Sequence, residues 1–313
     1  MRYLIVALLA LIALSGCSGS GPAWRVLPPA PEARSGAAGA AVAGRVAVVG
    51  GLTAAGDASA RVDLYDPRRR RWIPLPALPE GRDRAMAASR GGRLYVMGGF
   101  ARGPGGWEAS DRAWVLFDRR WHPLPPLPEP RAAGAAAIVR NRIYVVGGTT
   151  SAAPSGLAGD SLYLDLRTLR WSPFAGVTPA RRDLGATALG GRVYAIGGRT
   201  AGPSTDLAVA EVYDPVARAW PRLPDAPTRR AGGAATADRL VVGAGGAGPD
   251  GPLAPVDAFD PRSGTWRSLP RSPRPREGAT IVGVGRVVYQ ALGLPGGGAP
   301  PSPALLALKV PRD

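Results

Sequence analysis

Six arginines recur along the chain at intervals of 46 to 51 residues, each shortly before a run of small residues. A guanidinium is planar and permanently charged, and its five N–H donors match a carboxylate or a phosphate. Arginines gathered at one place would therefore form a binding site for an anion or an acidic sugar. The alternative is that a repeated arginine belongs to the scaffold and donates to neighbouring backbone carbonyls. The six are Arg34, Arg84, Arg131, Arg182, Arg230 and Arg276.

Other chemical groups are scarce. His122 is the only histidine and Cys17 the only cysteine, so the sequence offers no histidine–cysteine set for a triad, a zinc site or a copper site. His122 follows Trp121 at a predicted strand start, where we expect exposure to solvent. A pair of carboxylates working as general acid and base stays open, although no spacing argues for one. We therefore predict no metal and no cofactor.

One aromatic residue falls outside every regular series. Trp107 lies in the glycine-rich stretch 103–111, where an exposed ring stacks on a sugar or a protein, or holds its own loop against the fold. Acidic residues recur in the corresponding loops without the dense oxygen-ligand spacing of a calcium loop, so we expect them to be solvated. They are Asp57, Asp111, Asp160, Asp206 and Asp250.

A repeated phrase must position these residues. Its clearest copy, 192–198, is a short apolar run with a tyrosine that ends in two glycines. The pairs begin at residues 50, 98, 147, 197, 243 and 291, and the last two have lost one or both glycines. A period of 46 to 50 residues is typical of a propeller or a solenoid.

Each repeat predicts four strands. A small-residue strand is followed by the glycine-ended strand, a variable loop and a third strand that ends at a turn, often Asp-Pro. A tryptophan then opens the fourth strand, and its ring is large enough to pack between neighbouring sheets. The series is Trp72, Trp121, Trp171, Trp220 and Trp266.

These features resemble the kelch repeat, and the resemblance covers about residues 24 to 309. It implies an all-β fold, a β-propeller of four-stranded blades. Six glycine phrases indicate six blades. Trp24 opens a fourth strand that precedes the first blade, and the chain after the last phrase offers only a third strand. We therefore predict that the N-terminal strand completes the last blade and closes the ring.

This topology predicts where a ligand would bind. The first strands line a central channel, so the six arginines should surround one of its mouths. The loops after the glycine pairs should surround the same mouth, because strands alternate in direction. The run 68–71 of four arginines lies at a turn on the opposite face, either as a solvated cluster or attracted to anionic lipid or polysaccharide.

The N-terminal segment predicts export. A basic start and the apolar run 3–14 have the length of a signal-peptide core, and 14–17 resembles the lipobox of bacterial lipoproteins. That resemblance implies lipid attachment at Cys17; an ordinary signal with an incidental cysteine is the alternative. The predicted domains are a signal peptide (1–16), the lipidated cysteine with a tether (17–23), and the propeller (24–313). Ser18 resembles the pattern for outer-membrane sorting.

We predict a lipid-anchored envelope protein, a monomeric propeller that binds another envelope protein or an anionic carbohydrate. The formal charge of +16 comes almost wholly from arginine, but export disfavours nucleic acid as a partner. The rival is an enzyme similar to the periplasmic kelch mutarotases of sialic acid, in which arginines would hold the sugar carboxylate. The chain departs from copper-radical kelch oxidases, which need histidine and cysteine, and from sialidases, because Asp260 is followed by Pro261 rather than an Asp-box turn.

Overall fold

The computed structural model describes residues 23–153, 155–202 and 205–311, and the regular secondary structure within them is β-strand. The first strand, β1 (Trp24–Leu27), pairs with the end of the chain. The later strands form six antiparallel sheets in sequence order and one inserted two-stranded hairpin, and the first five of the six sheets begin with a strand rich in small residues. These sheets are the six blades of a β-propeller, which confirms the predicted fold.

Blades 1 to 3 use the first half of the chain. Blade 1 is β2 (Ala38–Val42), β3 (Arg45–Val49), β4 (Val62–Asp66) and β5 (Arg71–Pro74). Blade 2 is β6 (Met86–Arg90), β7 (Arg93–Met97), an inserted hairpin β8 (Phe100–Gly103) and β9 (Gly106–Ala109), then β10 (Ala113–Phe117) and β11 (Arg120–Leu124). Blade 3 is β12 (Ala135–Val139), β13 (Arg142–Val146), β14 (Asp160–Asp165) and β15 (Arg170–Ala175).

Blades 4 to 6 use the second half. Blade 4 is β16 (Gly185–Leu189), β17 (Arg192–Ile196) and β18 (Ala210–Tyr213), and its outer part makes two isolated bridges, Glu211 to Arg222 and Asp214 to Ala219. Blade 5 is β19 (Ala231–Ala237), β20 (Leu240–Gly248), a short β21 (Gly251–Pro252), β22 (Val256–Asp260) and β23 (Thr265–Leu269). Blade 6 is β24 (Thr280–Val284), β25 (Val287–Ala291) and β26 (Leu305–Lys309), followed in space by β1.

The N-terminal strand closes the ring as predicted. β1 pairs antiparallel with β26, with Trp24 opposite Leu308 and Leu27 opposite Leu305. The last blade therefore has the strand order β24, β25, β26, β1. This pairing satisfies backbone groups that would otherwise form a free sheet edge.

The glycine pairs lock each blade to the next. The second residue of each pair donates its backbone N–H to an arginine carbonyl at the entrance of the following blade. The pairs have left-handed φ angles, and a Cβ on the first glycine of blades 1 to 4 would run into that same carbonyl. The bonds are Gly51 to Arg82, Gly99 to Arg131, Gly148 to Arg181, Gly198 to Arg230, Gly246 to Arg276 and Gly293 to Arg34.

Two of the predicted pairs were wrong. In blade 5 the pair is Gly245-Gly246, with φ angles of 60° and 87°, and Gly246 makes the bond to Arg276; Gly243-Ala244, two residues earlier in β20, has no left-handed φ angle. In blade 6 it is Leu292-Gly293, with φ angles of 59° and 98°, one residue beyond the predicted position. The glycines of blade 5 are thus intact, and blade 6 has replaced only the first.

The apolar core is divided among the junctions between blades. Six clusters of buried side chains lie between neighbouring sheets, including one between blades 6 and 1. Every tryptophan of the predicted series, and Trp24, donates its indole N–H to a carbonyl of the preceding blade, at 2.7 to 3.0 Å. Trp171, for example, donates to Pro125. Each tryptophan thus joins an apolar contact to a directional bond.

Candidate binding site at the channel mouth

The structure separates the arginines of the repeat from those of the mouth. The arginines whose carbonyls receive the glycine-pair bonds are buried, with 0 to 1% of each residue exposed. In blades 2 and 4 these are Arg82 and Arg181, rather than the predicted Arg84 and Arg182. The buried series is Arg34, Arg82, Arg131, Arg181, Arg230 and Arg276.

Each buried guanidinium group binds groups of its own blade, whereas the carbonyl of the same arginine accepts the bond from the preceding blade. Arg34 donates to the carbonyls of Gly50 and Arg61, at 2.7 and 2.8 Å, and to the Asp63 carboxylate at 2.7 Å. Arg230 donates to the carbonyl of Gly245 and, at 2.6 Å, to the carboxylate of Asp257.

Arg131 follows the same plan, with the carbonyl and the carboxylate of Asp160 at 3.0 and 3.1 Å. Arg34, Arg131, Arg230 and Arg276 are therefore buried scaffold residues rather than side chains that surround the mouth. This corrects the predicted placement and agrees with the alternative that the sequence left open.

Of the six predicted arginines, Arg84 lines the mouth cavity, and Arg182 contacts a residue that lines it, Asp183. Arg84 is 39% exposed at its side chain, and its Nη1 lies 3.5 Å from Oδ1 of Asp183, two blades away. Arg182 donates to the other oxygen of the same carboxylate at 2.7 Å. Asp183 therefore accepts a hydrogen bond from Arg182 and forms a longer ion pair with Arg84.

Backbone bonds fix the position of these residues. In blades 1 to 4, the second residue after each buried arginine donates its N–H to the corresponding residue of the preceding blade. The chain of bonds runs from Asp183 to Ala133, Arg84, Gly36 and Gly278. All five have left-handed φ angles, which suit the two glycines but strain the other three. Strain of this kind is found at functional sites.

The next charged residue is Asp83. Its side chain is 14% exposed, and its Oδ2 lies 4.0 Å from Nε of Arg84. It packs against Gly36, where a Cβ would run into its carboxylate. Burial raises the pKa of Asp83 to about 6, although the charge of Arg84 acts against this shift. A carboxyl group that titrates near neutral pH thus stands beside the mouth.

The mouth opens into a cavity of about 180 Å³. Its wall is built mostly from alanines and glycines of the first strands, with Met86, Thr280 and Ile281 as larger members. Four charged side chains line it: Arg84, Asp183, Arg199 and Glu277. Arg199 is itself held by Asp206 at 3.1 Å.

The opposite half of the channel differs. It encloses about 260 Å³, and its lining among the described residues is uncharged, mostly alanine and glycine with Ser89, Thr187 and Thr236. The two halves share wall residues such as Ala136 and Ala186. The channel is therefore asymmetric, with its charged groups at the face that carries the loops after the glycine pairs.

Trp107 lies apart from this cavity. It is half-buried in the hairpin β8–β9, and the guanidinium of Arg102 covers its ring at 4.5 Å. It does not line the mouth cavity. Its stacking on a ligand stays a prediction, and its contact with Arg102 fits the alternative in which the ring holds its own hairpin.

Two further expectations need correction. His122 is half-buried and stacks on Phe117, with 4.0 Å between ring centroids, rather than standing exposed. Asp206 is 5% exposed and paired with Arg199, so it is not a solvated loop acid. Among the residues that the structure describes, no three histidine, cysteine or acidic side chains gather as metal ligands would. The same residues contain no helix long and apolar enough to cross a membrane.

The fold and its site define a six-bladed propeller with charged groups at one mouth of its channel. Residues 114–293 match the KLHDC2/KLHL20/DRC7 Kelch-repeats domain, so the chain belongs to the Kelch-repeat family. Residues 18–172 also match DUF1668, a family described as a protein of unknown function.

A solved structure supports the same fold. The protein described as "Structure of YjhT" is similar, with a TM-score of 0.77 over 92% of this chain and 97% of that one. The two share 18% sequence identity, so this likeness bears on the fold alone. No curated protein was found to match the chain.

Proposed function

We propose that this protein binds a small acidic sugar at the charged mouth of its channel and does so while anchored to a bacterial membrane. The observation that carries the proposal is the position of Arg84. It lies at a strained, left-handed position on the cavity wall, half-exposed and only loosely paired.

A ligand carboxylate can replace Asp183 as the partner of Arg84. Asp183 would keep its 2.7 Å bond to Arg182, so the exchange leaves no charge without a partner. Glu277 and Arg199, on other blades, supply an acceptor and a donor for sugar hydroxyls. The small wall residues leave room for a ring-sized ligand. These features together favour a carbohydrate over a flat protein surface.

The anchor is the second part of the proposal. Cys17, within the lipobox-like segment, is the proposed site of lipid attachment, and Ser18 favours the outer membrane. These residues lie outside the described part of the structure. Metabolic labelling with a palmitate analogue tests the anchor: label should appear on the wild type and disappear in Cys17→Ala. Label that persists in the variant would rule out attachment at this cysteine.

Calorimetric titration of residues 18–313 with sialic acid, glucuronic acid and glucose tests the binding site. The two acids should bind and glucose should not. Arg84→Ala should weaken binding of the acids by at least tenfold, since a charge-assisted bond contributes about 1.5–3 kcal/mol. Arg69→Ala, which removes an exposed arginine from the opposite face, is the matched control and should bind normally.

The outcomes are distinct. Binding that survives Arg84→Ala would overturn the assignment of the site. Absence of binding to any acidic sugar would overturn the carbohydrate proposal and favour an envelope protein, which crosslinking in cells would then identify.

The second candidate function is mutarotation, and Asp83 is the observation that favours it. In mutarotation a base removes the proton of the anomeric hydroxyl, an acid protonates the ring oxygen, and the bond between ring oxygen and anomeric carbon breaks. Closure on the other face of the carbonyl reverses both transfers. A carboxyl group with a pKa of about 6 exchanges protons efficiently near neutral pH.

Proton NMR of freshly dissolved sialic acid separates the two functions. An enzyme would speed the exchange between anomers, and Asp83→Asn would slow that exchange while calorimetric binding persists. A binding protein would leave the anomer exchange at its spontaneous rate.

A further inference from the structure

Blade 6 lacks the acid that accompanies the buried arginine elsewhere. In each of the other five blades, among the described residues, a carboxylate lies within 4 Å of that guanidinium. Arg276 is 1% exposed, and its hydrogen bond goes from Nη2 to the carbonyl of Gln290 at 3.1 Å. Its Nη1 and Nε, and Nε2 of Gln290, are buried without a hydrogen-bond partner; the unpartnered Nε is common to all six buried arginines, whereas the unpartnered Nη1 is particular to Arg276 among them. A buried cation without a counter-charge is costly.

In the other blades the carboxylate comes from the third strand or from a glutamate just before the arginine, and blade 6 has neither. In blades 1 and 5, an aspartate on the third strand faces the arginine: Asp63 opposite Val48 and Asp257 opposite Gly243. The corresponding residue of blade 6 is Leu306, opposite Gln290. The third strand of blade 6 therefore supplies no charge at this register.

The second source is a glutamate two residues before the arginine. In blade 2, Glu80 lies 2.7 Å from Nη2 of Arg82. The same position holds Glu32 in blade 1 and Glu129 in blade 3, and these glutamates are 38 to 54% exposed at their side chains. In blade 6 it holds Arg274, which is exposed. Burial and the charge of Arg274 lower the pKa of Arg276 to about 10.

Blade 6 also keeps the serine that lies beside this position in blades 1 and 2. Ser59, Ser110 and Ser302 occupy the same place in blades 1, 2 and 6, since each donates its N–H to the second residue of the glycine pair. In blade 1 the Ser59 hydroxyl bonds the Glu32 carboxylate at 3.4 Å. Ser302 is half-buried and keeps the same local bond, accepting from the N–H of Ala304. Blade 6 therefore keeps the arginine and the serine hydroxyl that surround the glutamate carboxylate in blade 1, but it lacks that carboxylate.

We propose that blade 6 binds a carboxylate from solution between Arg274 and Arg276, at the place that Glu32, Glu80 and Glu129 occupy in the first three blades. Neither arginine lines the mouth cavity, so this site is separate from the proposed sugar site, although Glu277 of that cavity directly follows Arg276. The same chemistry can come from a free organic acid or from an acidic side chain of another molecule. The exposure of the three glutamates shows that this place is open to solvent in the blades that have one.

The test supplies the missing acid within the chain. Arg274→Glu restores the arrangement of blades 1 to 3 and should raise the midpoint of thermal unfolding without added ligand. In the wild type, exchange of chloride for acetate at constant ionic strength should raise the midpoint by a few degrees and saturate, because acetate binds only the folded state. In Arg274→Glu the acetate response should vanish. A short peptide that ends in glutamate, added to the wild type, tests the macromolecular source.

Arg271→Glu is the matched control. It makes the same charge change at an exposed arginine three residues away, so it reports the general benefit of lowering the net charge. It should keep the acetate response. If Arg274→Glu behaves like Arg271→Glu, or if acetate has no saturable effect on the wild type, the proposal is wrong.

Discussion

Two sets of arginines lie close together in this propeller and differ in their burial, their contacts and their recurrence from blade to blade. Arg82 is buried, and its carbonyl receives a bond from the glycine pair of blade 1; Arg84, two residues later, is half-exposed at the mouth. The first belongs to a ring that returns in all six blades. The second has no arginine counterpart in any other blade, where the same position holds Gly36, Ala133, Asp183, Gly232 and Gly278. In a repeat protein, what recurs is scaffold, and what departs from the repeat marks a site.

We expect the largest loss of stability when a buried arginine of the scaffold is removed. Arg230→Ala leaves the buried carboxylate of Asp257 without its 2.6 Å partner, so we expect a loss of about 3–5 kcal/mol in the free energy of unfolding. Urea denaturation measures it. Arg68→Ala, at an exposed arginine with no salt bridge among the described residues, should change the value by less than about 0.5 kcal/mol. Equal stability of the two variants would contradict the scaffold assignment.

A second prediction tests the close contact between each glycine pair and the arginine carbonyl of the next blade. Gly147→Ala places a Cβ against the carbonyl of Arg181 and strains a left-handed residue, and we expect a loss of about 3 kcal/mol or more. Gly190→Ala is matched in φ, at 59° against 60°, but meets no atom within 4 Å, so strain alone should cost about 1 kcal/mol. Denaturation of both variants separates the clash from the strain.

A pH profile tests the mouth. The pKa of Asp83 is raised in the folded state to about 6, above the value of about 3.9 in an unfolded chain. The folded state therefore takes up the proton first, and the free energy of unfolding should rise as the pH falls from about 6 to about 4, by roughly 2–3 kcal/mol. Asp83→Asn should remove this contribution. An unchanged profile in the variant would mean that Asp83 titrates normally.

Glycine at position 84 tests what Arg84 contributes to stability and to binding. Arg84→Gly gives blade 2 the residue that blades 1 and 6 carry, relieves a left-handed φ of 48°, and should raise stability by up to about 1 kcal/mol. Ala133→Gly relieves a similar angle of 53° and is the control. Calorimetry should show that Arg84→Gly no longer binds acidic sugars, whereas Ala133→Gly still does. This result would mean that Arg84 contributes to ligand binding while lowering the stability of the fold.

The fold could be predicted from the sequence because its constraints are local and repeated. A glycine pair that must approach a neighbouring carbonyl, and a tryptophan that reaches the previous blade, leave the same mark in each repeat. Closure was predictable because Trp24 belongs to the series but precedes the first blade. The exact glycine pairs of blades 5 and 6 could not be predicted, because blade 5 offers two candidate pairs two residues apart and blade 6 carries Leu292 in place of the first glycine.

The site was predicted less well, since type and approximate spacing do not separate Arg82 from Arg84. A signal was present: five of the six buried arginines follow a proline by three residues, as Arg82 follows Pro79 and Arg131 follows Pro128. Burial of the arginines could not be read from their charge, because it depends on carbonyls contributed by distant segments. The salt bridge from Arg84 to Asp183 joins blades 2 and 4, and nothing local indicates it.

The pairing of β1 with β26 also has a consequence for the order of folding. Its partners, such as Trp24 and Leu308, are separated by most of the chain, so this contact carries a large loop-closure cost and forms slowly. β1 therefore stays unpaired until β26, which is synthesised much later, has formed. Until the two strands pair, β26 presents an open edge to other chains, and this interval is when aggregation threatens most. Deleting 24–27 would make that vulnerable intermediate permanent.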